Sequence, residues 1–509
     1  MVEEERKYEV DHRFALPDLT GCLPDGGRVL DRAPVTLTAT YFDTPDFRLA
    51  RAGASLRYRR GDAEPWTVKL SADAPGVRHE ISRPGAPGAP PGDLVALVTA
   101  LTRAAPLTPV VVLRTVRHAY ELRDGADVVD AELADDRVSV LDGRRVSARF
   151  REIEVERKAG GRKLLDRVEQ ELRAAGAVVG AFTPKHVRAL GPVAAGPPDV
   201  PPPDPLPAKT SAGEVVTAAI RRDVARLLDH DPLVRLRAPV GDDDTAVHQM
   251  RVGCRRLRSD LRTFRPLVDR DWARQLRGEV GWLAGLLGAA RDAEVLRARL
   301  RRTASADPLS PLDDAAVARI DADLAARHED ALTELDAALC GDRYVKLVDA
   351  LVDAARAPRL TSTAQARARD VLPRLVSRPW QDFAYGRRGL DGAADLDAGA
   401  PDERWHAVRI ACKRVRYAVE AVAPVVGGPA DALSKALSAV QDLLGEHQDA
   451  ATAAKTWLAV ARSDPDDHAL AVSAGRLFER ERAAIRDMRA AFPDAWRAAS
   501  RRKLTAWLP

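Results

Sequence analysis

His248-Gln-Met-Arg251-Val-Gly-Cys-Arg255-Arg256-Leu-Arg258 returns later in the chain as His406-Ala-Val-Arg409-Ile-Ala-Cys-Lys413-Arg414-Val-Arg416. The two stretches lie 158 residues apart, and the same spacing holds from Pro266 to Pro424. A second pair of blocks, Leu286-Leu287-Gly288 with Asp292 and Leu443-Leu444-Gly445 with Asp449, is 157 residues apart. A single-residue slip over such a span marks a duplicated structural unit. In each copy a histidine and three cations fall at i, i+3, i+7 and i+10, which is one stripe of an α-helix. His248, Arg251, Arg255 and Arg258 form the first stripe, and His406, Arg409, Lys413 and Arg416 the second. Arg256 and Arg414 lie beside them. Cations so placed repel one another unless acids or an outside anion compensate. Asp260 and Glu420 are nearby, but neither is placed to neutralise a whole stripe. Guanidinium forks suit bidentate phosphate contact, and each histidine is a donor whose charge responds to pH. The competing reading pairs the stripes with acids of neighbouring helices, such as Asp292 and Asp449. Few aromatics interleave with the cations, which disfavours nucleic acid as the partner.

The rest of the chain divides at a proline-rich stretch, residues 191–207, expected to be an extended, semi-rigid spacer. After it, Ala/Leu/Arg/Asp-rich segments run at helical period. Expected helices cover 212–228, 246–264, 272–287, 293–303, 315–339, 343–356, 364–374, 402–423, 430–444, 450–462, 468–490 and 496–504. With the repeat, this predicts two related helical bundles. Before the stretch, short alternating segments read as strands. On a strand, alternate residues share a face, so Glu3, Glu5 and Lys7 share one, as do Arg57 with Arg59 and Glu152 with Glu154 and Glu156. Lys69, Arg78, Glu80, Arg114, Arg117, Glu132 and Lys185 add single charges on other segments. Closing such a sheet puts charge of both signs into a lumen. Converging acids form an oxygen-ligand site for Mg²⁺ or Mn²⁺, and cations from several strands suit a chain of phosphates. Phosphoryl transfer needs little beyond such positioning and neutralisation.

Composition agrees. The 509 residues suffice for two or three domains. Apolar residues reach 46% but aromatics only 5%, so the cores are built of Ala, Leu and Val. The 79 basic and 75 acidic residues nearly cancel, so any anion site must come from local clustering. Cys22, Cys254, Cys340 and Cys412 have neither metal nor disulfide spacing. The charged start and the lack of a long apolar run lead us to expect a cytoplasmic protein with no membrane partner.

The first part resembles a CYTH domain of the triphosphate tunnel metalloenzyme superfamily. The resemblance is carried by Glu3-Glu-Glu5-Arg-Lys7, Tyr41-Phe-Asp43-Thr44, Leu56-Arg57-Tyr-Arg59, Trp66-Thr-Val-Lys69, Arg78-His-Glu80, Arg114-Thr-Val-Arg117, Glu132-Leu-Ala-Asp135, Glu152-Ile-Glu154-Val-Glu156 and Thr183-Pro-Lys185. It implies an eight-stranded antiparallel tunnel in which Glu3, Glu5, Glu154 and Glu156 bind divalent metals. Glu132 is a further ligand drawn from an acidic stretch (129–136) in which several residues could serve. Lys7, Arg57, Arg59, Lys69, Arg117 and Lys185 would bind the triphosphate, with Lys7 and Arg59 stabilising developing charge. The second part resembles a CHAD domain, a family associated with inorganic polyphosphate, and the two stripes with Arg256 and Arg414 are the residues it implies.

The fold expected is therefore α+β. A tunnel domain spans 1–190, a linker 191–209, and an all-α domain 210–509, with repeats at about 212–385 and 400–505. The function expected is metal-dependent hydrolysis of inorganic or organic triphosphate, with polyphosphate bound by the helical domain and an association with polyphosphate granules. The alternatives are a non-catalytic polyphosphate-binding or targeting protein and a class IV-type adenylate cyclase. Arg262 and Arg265 extend the first stripe and have no counterpart in the second, so repeat one is expected to bind the more strongly.

Overall fold

The computed structural model describes residues 2–71, 77–179, 183–203, 205–207, 209–240, 244–387, 389 and 391–509. The side chains of residues 2, 3 and 77 lie outside that description. The chain forms two compact units, Met1–Asp199 and Val200–Pro509.

The first unit is built on antiparallel strands β1 (Val2–Val10), β2 (Arg28–Asp31), β3 (Val35–Asp43), β4 (Ser55–Arg60), β5 (Trp66–Ser71), β6 (Val77–Arg83), β7 (Thr108–Arg123), β8 (Val129–Asp142), β9 (Arg145–Arg157) and β10 (Val178–Val179). Pairing runs β1-β6-β5-β4-β3-β7-β8-β9, and β9 pairs back onto β1. Eight strands therefore close on themselves, leaving β2 and β10 as flanking strands on β7 and β1. The closing register sets Glu5 opposite Glu156 and Lys7 opposite Glu154.

Alternation sorts the side chains of each strand. Outward-facing Tyr8, Leu133, Ile153 and Val155 are covered by Leu164, Leu165, Val168 and Leu172 of the helix Arg162–Ala174. The cluster Ala39, Tyr41, Val111, Leu113, Val138 and Val140 comes from the opposite parity of β3, β7 and β8, and Ala189 and Leu190 pack against it. Part of the barrel is thus filled by apolar side chains, and the charges gather in the remainder. The Tyr41-Phe-Asp43-Thr44 motif has a structural task at the end of β3. Asp43 is 2% exposed, and its carboxylate accepts from the backbone N–H groups of Thr44, Leu49 and Ala50. That fixes the turn leading into β4. The start of the proline-rich stretch also packs on this unit, because Asp199 accepts from Arg51 and Arg103.

The second unit is helical. The helices are Ala212–Asp229, Ala246–Thr263, Arg270–Ala304, Asp314–Leu339 and Asp342–Arg356, then Ala368–Ala384, Asp402–Val426, Gly428–Ala461 and His468–Ala499. By the 158-residue spacing Ala368–Ala384 matches Ala212–Asp229, so it opens the second repeat where it was expected to close the first. An isolated antiparallel bridge between Ser211 and Arg367 joins the two repeats where their first helices begin. Ser211 and Glu214 form a reciprocal capping box there, a device worth about 1 kcal/mol. Cys254 and Cys412 are equally buried at equivalent points of the basic helices. Several expected helices merge: 272–287 with 293–303, and 430–444 with 450–462. Gly288 and Gly445 lie inside the resulting helices instead of ending them. Gly288 and Gly281 face the guanidinium groups of Arg251 and Arg258, so these glycines leave room for the cations of the first stripe. Among the described residues no helix is long and apolar enough to cross a membrane.

Candidate functional site

All six cations expected in the tunnel, Lys7, Arg57, Arg59, Lys69, Arg117 and Lys185, line one cavity of about 170 Å³. Glu5, Glu154 and Glu156 line it with them, as do Arg78, Glu80, Tyr41 and His186. The cations are already matched. The Lys7 ammonium lies 2.6 Å from Glu154 and 3.5 Å from Glu5. Arg117 reaches Asp136 at 2.7 Å and Glu154 at 2.9 Å. Lys185 sits among Asp136 at 2.6 Å, Glu154 at 2.8 Å and Glu152 at 3.2 Å. Lys69 pairs with Glu80, and Arg59 with Asp62. Burial alone would discharge these groups. It works against the charge of Lys7, but Glu154 and Glu5 outweigh it and the pKa is raised. Lys185 and Arg117 are raised for the same reason. Glu154 is held well below the usual carboxylate range, because Lys185, Lys7 and Arg117 overcome its burial.

Asp136 and His186 are members of this network that the residue pattern did not single out, and Glu152, placed by the pattern on the lumen face, joins it as a partner of Lys185. Asp136 is four residues beyond Glu132 on the same face of β8, and Glu152 two before Glu154 on β9, so period two contained the signal. His186 is 5% exposed and stacks on Tyr41 with ring centroids 4.8 Å apart. Burial, reinforced by Arg78 and Lys7, pushes its pKa down to about 3 and keeps it neutral. Glu132 is opposite Glu156 and Glu121 in the sheet register and is not among the residues lining the cavity. Glu3 pairs with Arg78 through the β1–β6 register, and its side chain lies outside the described residues.

In the second unit the two stripes face one another. Arg255 feels Arg251, Arg409 and Arg416, and burial together with this crowding lowers its pKa. Burial, then Arg409, Arg255 and Arg251, brings Lys413 down to about 7, against only a partial pull from Asp449. Arg409 is lowered as well, by burial and by Arg251, although Asp449 and Asp292 oppose the shift. Some of the charge is matched. Arg251 lies 3.3 Å from Asp292. Glu420 does more than its spacing suggested, lying 2.6 Å from Arg256 and 3.4 Å from Arg416. His406 is fixed by a 2.6 Å hydrogen bond between its Nδ1 and Gln448. His248 is depressed to about 4 by burial and then Arg291, so in the free protein it is a neutral group. Cys254 and Cys412 are buried on the same helices, and burial pushes both thiols up to about 12 although the stripe cations oppose it.

Residues 1–188 match the CYTH domain and residues 218–458 the CHAD domain. Two uncharacterized proteins of Mycobacterium tuberculosis, from strains CDC 1551 and H37Rv, are each 32% identical over 470 residues, which is 88% of this chain and 86% of theirs. The chain belongs to the family that joins a CYTH domain to a CHAD domain. Among solved structures, PptA from Streptomyces chartreusis is similar to 57% of this CYTH–CHAD chain over its own full length, with 24% identity and a TM-score of 0.46.

CYTH tunnel metalloenzymes use divalent metal ions and bind triphosphate substrates. The donor chemistry of this tunnel fits a hard cation, since Glu5, Glu154 and Glu156 offer carboxylate oxygens to the same cavity. Among the described residues no three such groups already converge as a cage. Glu154, at the centre, is engaged by Lys7, Arg117 and Lys185.

Proposed function

We propose that the CYTH tunnel hydrolyses inorganic triphosphate or an organic triphosphate, and that the CHAD helices capture inorganic polyphosphate. The observation that supports the first part is the gathering of seven cations and four carboxylates around one small cavity. Arg57, Arg59, Lys69, Arg117 and Lys185 would hold the phosphate chain, exchanging their internal carboxylate partners for phosphate oxygens. Lys7 and Arg59 would stand closest to the charge that develops as the terminal phosphoryl group is lost. Glu5, Glu154 and Glu156, with Glu3, would hold Mg²⁺ or Mn²⁺, and such an ion supplies charge for the phosphate oxygens and a more acidic water. His186, neutral and stacked on Tyr41, adds no charge to the site and keeps its wall in place.

The crowded cations of the two stripes support the second part. His248, Arg251, Arg255, Arg256 and Arg258, with His406, Arg409, Lys413, Arg414 and Arg416, would bind successive phosphates of a long polyanion. Carrying both sites on one chain raises the effective concentration of each ligand near the other. A cytoplasmic protein associated with polyphosphate granules fits this pairing. The test is to incubate the purified chain with tripolyphosphate, ATP and thiamine triphosphate, each with Mg²⁺ and with Mn²⁺, and to measure phosphate and cyclic AMP. Phosphate release that requires metal is the expected outcome. Cyclic AMP without phosphate would favour the cyclase reading, and neither product would sink the enzymatic one.

A further inference from the structure

The duplication supplies an internal control for a pocket that neither stripe explains. On the second basic helix, Ala407, Ala411 and Arg414 lie about 140–160° around from the stripe residue Arg409, by the 100° per residue of an α-helix. They form one wall of a cavity of about 880 Å³ within the second unit. Arg262, Arg265, Arg277, Arg374 and Arg378 project into it, and Val268, Leu375 and Pro379 supply apolar surface. Arg414 and Arg277 are partly buried there, and both are held below the usual guanidinium range by burial and then by Arg262. Among the described residues none of these six arginines takes part in an ion pair, and the carboxylates that also line the cavity are engaged elsewhere: Asp382 lies 3.5 Å from Arg387, Asp391 lies 2.9 Å from Arg404, and Asp269 caps its own helix.

The equivalent place in the other half holds an ion pair. Arg256 is the counterpart of Arg414, and Glu420 the counterpart of Arg262, each 158 residues away. There Arg256 pairs with Glu420 at 2.6 Å and lies over the Tyr417 ring. Ser434 donates to Glu420, and Arg226 donates to Gln249. One substitution between the repeats, glutamate against arginine, thus distinguishes an ion pair from a like-charged pair at the edge of an open cavity. Such an arrangement costs stability and gains nothing in the free protein, which points to an outside anion.

We propose that this pocket is a second anion site, separate from the facing stripes, and that it takes a compact organic molecule carrying several phosphates. The volume suits a ligand of nucleotide size. Guanidinium forks bind phosphates in bidentate fashion. The apolar wall would be left uncovered by a bare phosphate chain, which is why the ligand is organic. The site goes beyond polyphosphate capture and would act as a place where a small phosphorylated metabolite is sensed.

The test is calorimetric titration of the full chain with ATP in the absence of metal. Four proteins are compared: wild type, the tunnel double variant Arg57→Ala/Lys69→Ala, Arg262→Glu, and Arg374→Ala/Arg378→Ala. Arg262→Glu installs the ion pair that the other half already has, so it should fold. Exposed Arg374 and Arg378 provide a second, independent change. Wild type should take two ATP molecules, and the tunnel variant should keep only the pocket. Both pocket variants should weaken that binding by about 100-fold, while in Arg374→Ala/Arg378→Ala, whose residues lie off the two basic helices, long-chain polyphosphate binding changes by less than about tenfold. If wild type takes a single ATP that the pocket variants abolish, the pocket stands and the tunnel reading fails. Unchanged ATP binding in both pocket variants would overturn the proposal. So would an equal loss of polyphosphate and ATP, which would make the pocket part of the polymer track.

Discussion

The tunnel and the stripes are both dense in positive charge, yet they treat it in opposite ways. In the tunnel, Lys7, Arg117 and Lys185 are buried beside carboxylates and are held more firmly charged than in water. On the facing helices, Arg255, Arg409 and Lys413 are crowded by one another and held less firmly charged. A self-neutralised site is preorganised and exchanges one set of anions for another, as a site that must turn over requires. An under-compensated site gains most from a ligand that brings charge and keeps it there, which suits capture of a long polyanion. Equal sign of charge therefore does not mean equal chemistry. The difference lies in the acids, which alternate along the strands and are sparse along the helical stripes.

This contrast can be broken by removing one cation from each side. Lys185→Ala would leave Asp136, Glu152 and Glu154 short of their shared partner, and breaking buried pairs of this kind costs about 3–5 kcal/mol. Thermal unfolding of the first unit should show that loss. Lys413→Met should do the reverse and stabilise the free second unit by on the order of 1–2 kcal/mol at neutral pH. If both substitutions destabilised, the stripes would be ordinary packed cations.

The pH dependence sharpens the same point. Lys413 titrates near 7 in the free fold, far below its unfolded value. The charged form is therefore penalised, and the stability of the unliganded unit should rise as pH increases from about 7. A bound polyanion would raise that pKa, so binding takes up a proton. Affinity for polyphosphate should fall roughly tenfold between pH 6.5 and 8.5, and Lys413→Arg should flatten the profile. The smallest effect concerns a buried carboxyl pair between the first basic helix, which carries Asp260, and the helix Ala212–Asp229, which carries Asp223. Asp223 and Asp260 are 0% and 2% exposed. Burial raises Asp260 well above the usual range and Asp223 to about 6, although Arg222 and Arg256 oppose it. A carboxyl with a raised folded pKa contributes stability at low pH that is lost as pH rises through the folded value. Asp223→Asn should remove about 1 kcal/mol of that loss, seen as a smaller change in Tm between pH 5 and 8.

Much of this contrast was legible in the residues. Alternating charge on β1, β4 and β9 identifies a lumen, and the helical spacing of the two signatures identifies the stripes. The pattern assigns residues to faces but not to partners. Asp136 and Glu152 shared the correct face, yet their role as supports for Lys185 depends on β8, β9 and the helix Lys185–Leu190 meeting in space. Asp43 belongs to a motif that carries the resemblance without an assigned role, and its carboxylate caps a turn, because three backbone N–H groups there need an acceptor. Helix ends were misplaced at Gly288 and Gly445, where long-range packing outweighs the roughly 1 kcal/mol penalty of an internal glycine. Glu420 looked unable to balance its own stripe. It pairs across the repeats with Arg256, a contact no single helix can reveal.

The most direct test of the division of labour measures two activities on the same two proteins. Phosphate release from tripolyphosphate and binding of long-chain polyphosphate are compared in Glu5→Gln and in Arg255→Ala/Arg409→Ala. The account predicts that Glu5→Gln loses turnover by at least about 100-fold while binding polyphosphate like wild type, and that the arginine variant shows the opposite. Loss of both activities in either protein, or turnover that survives Glu5→Gln, would contradict it.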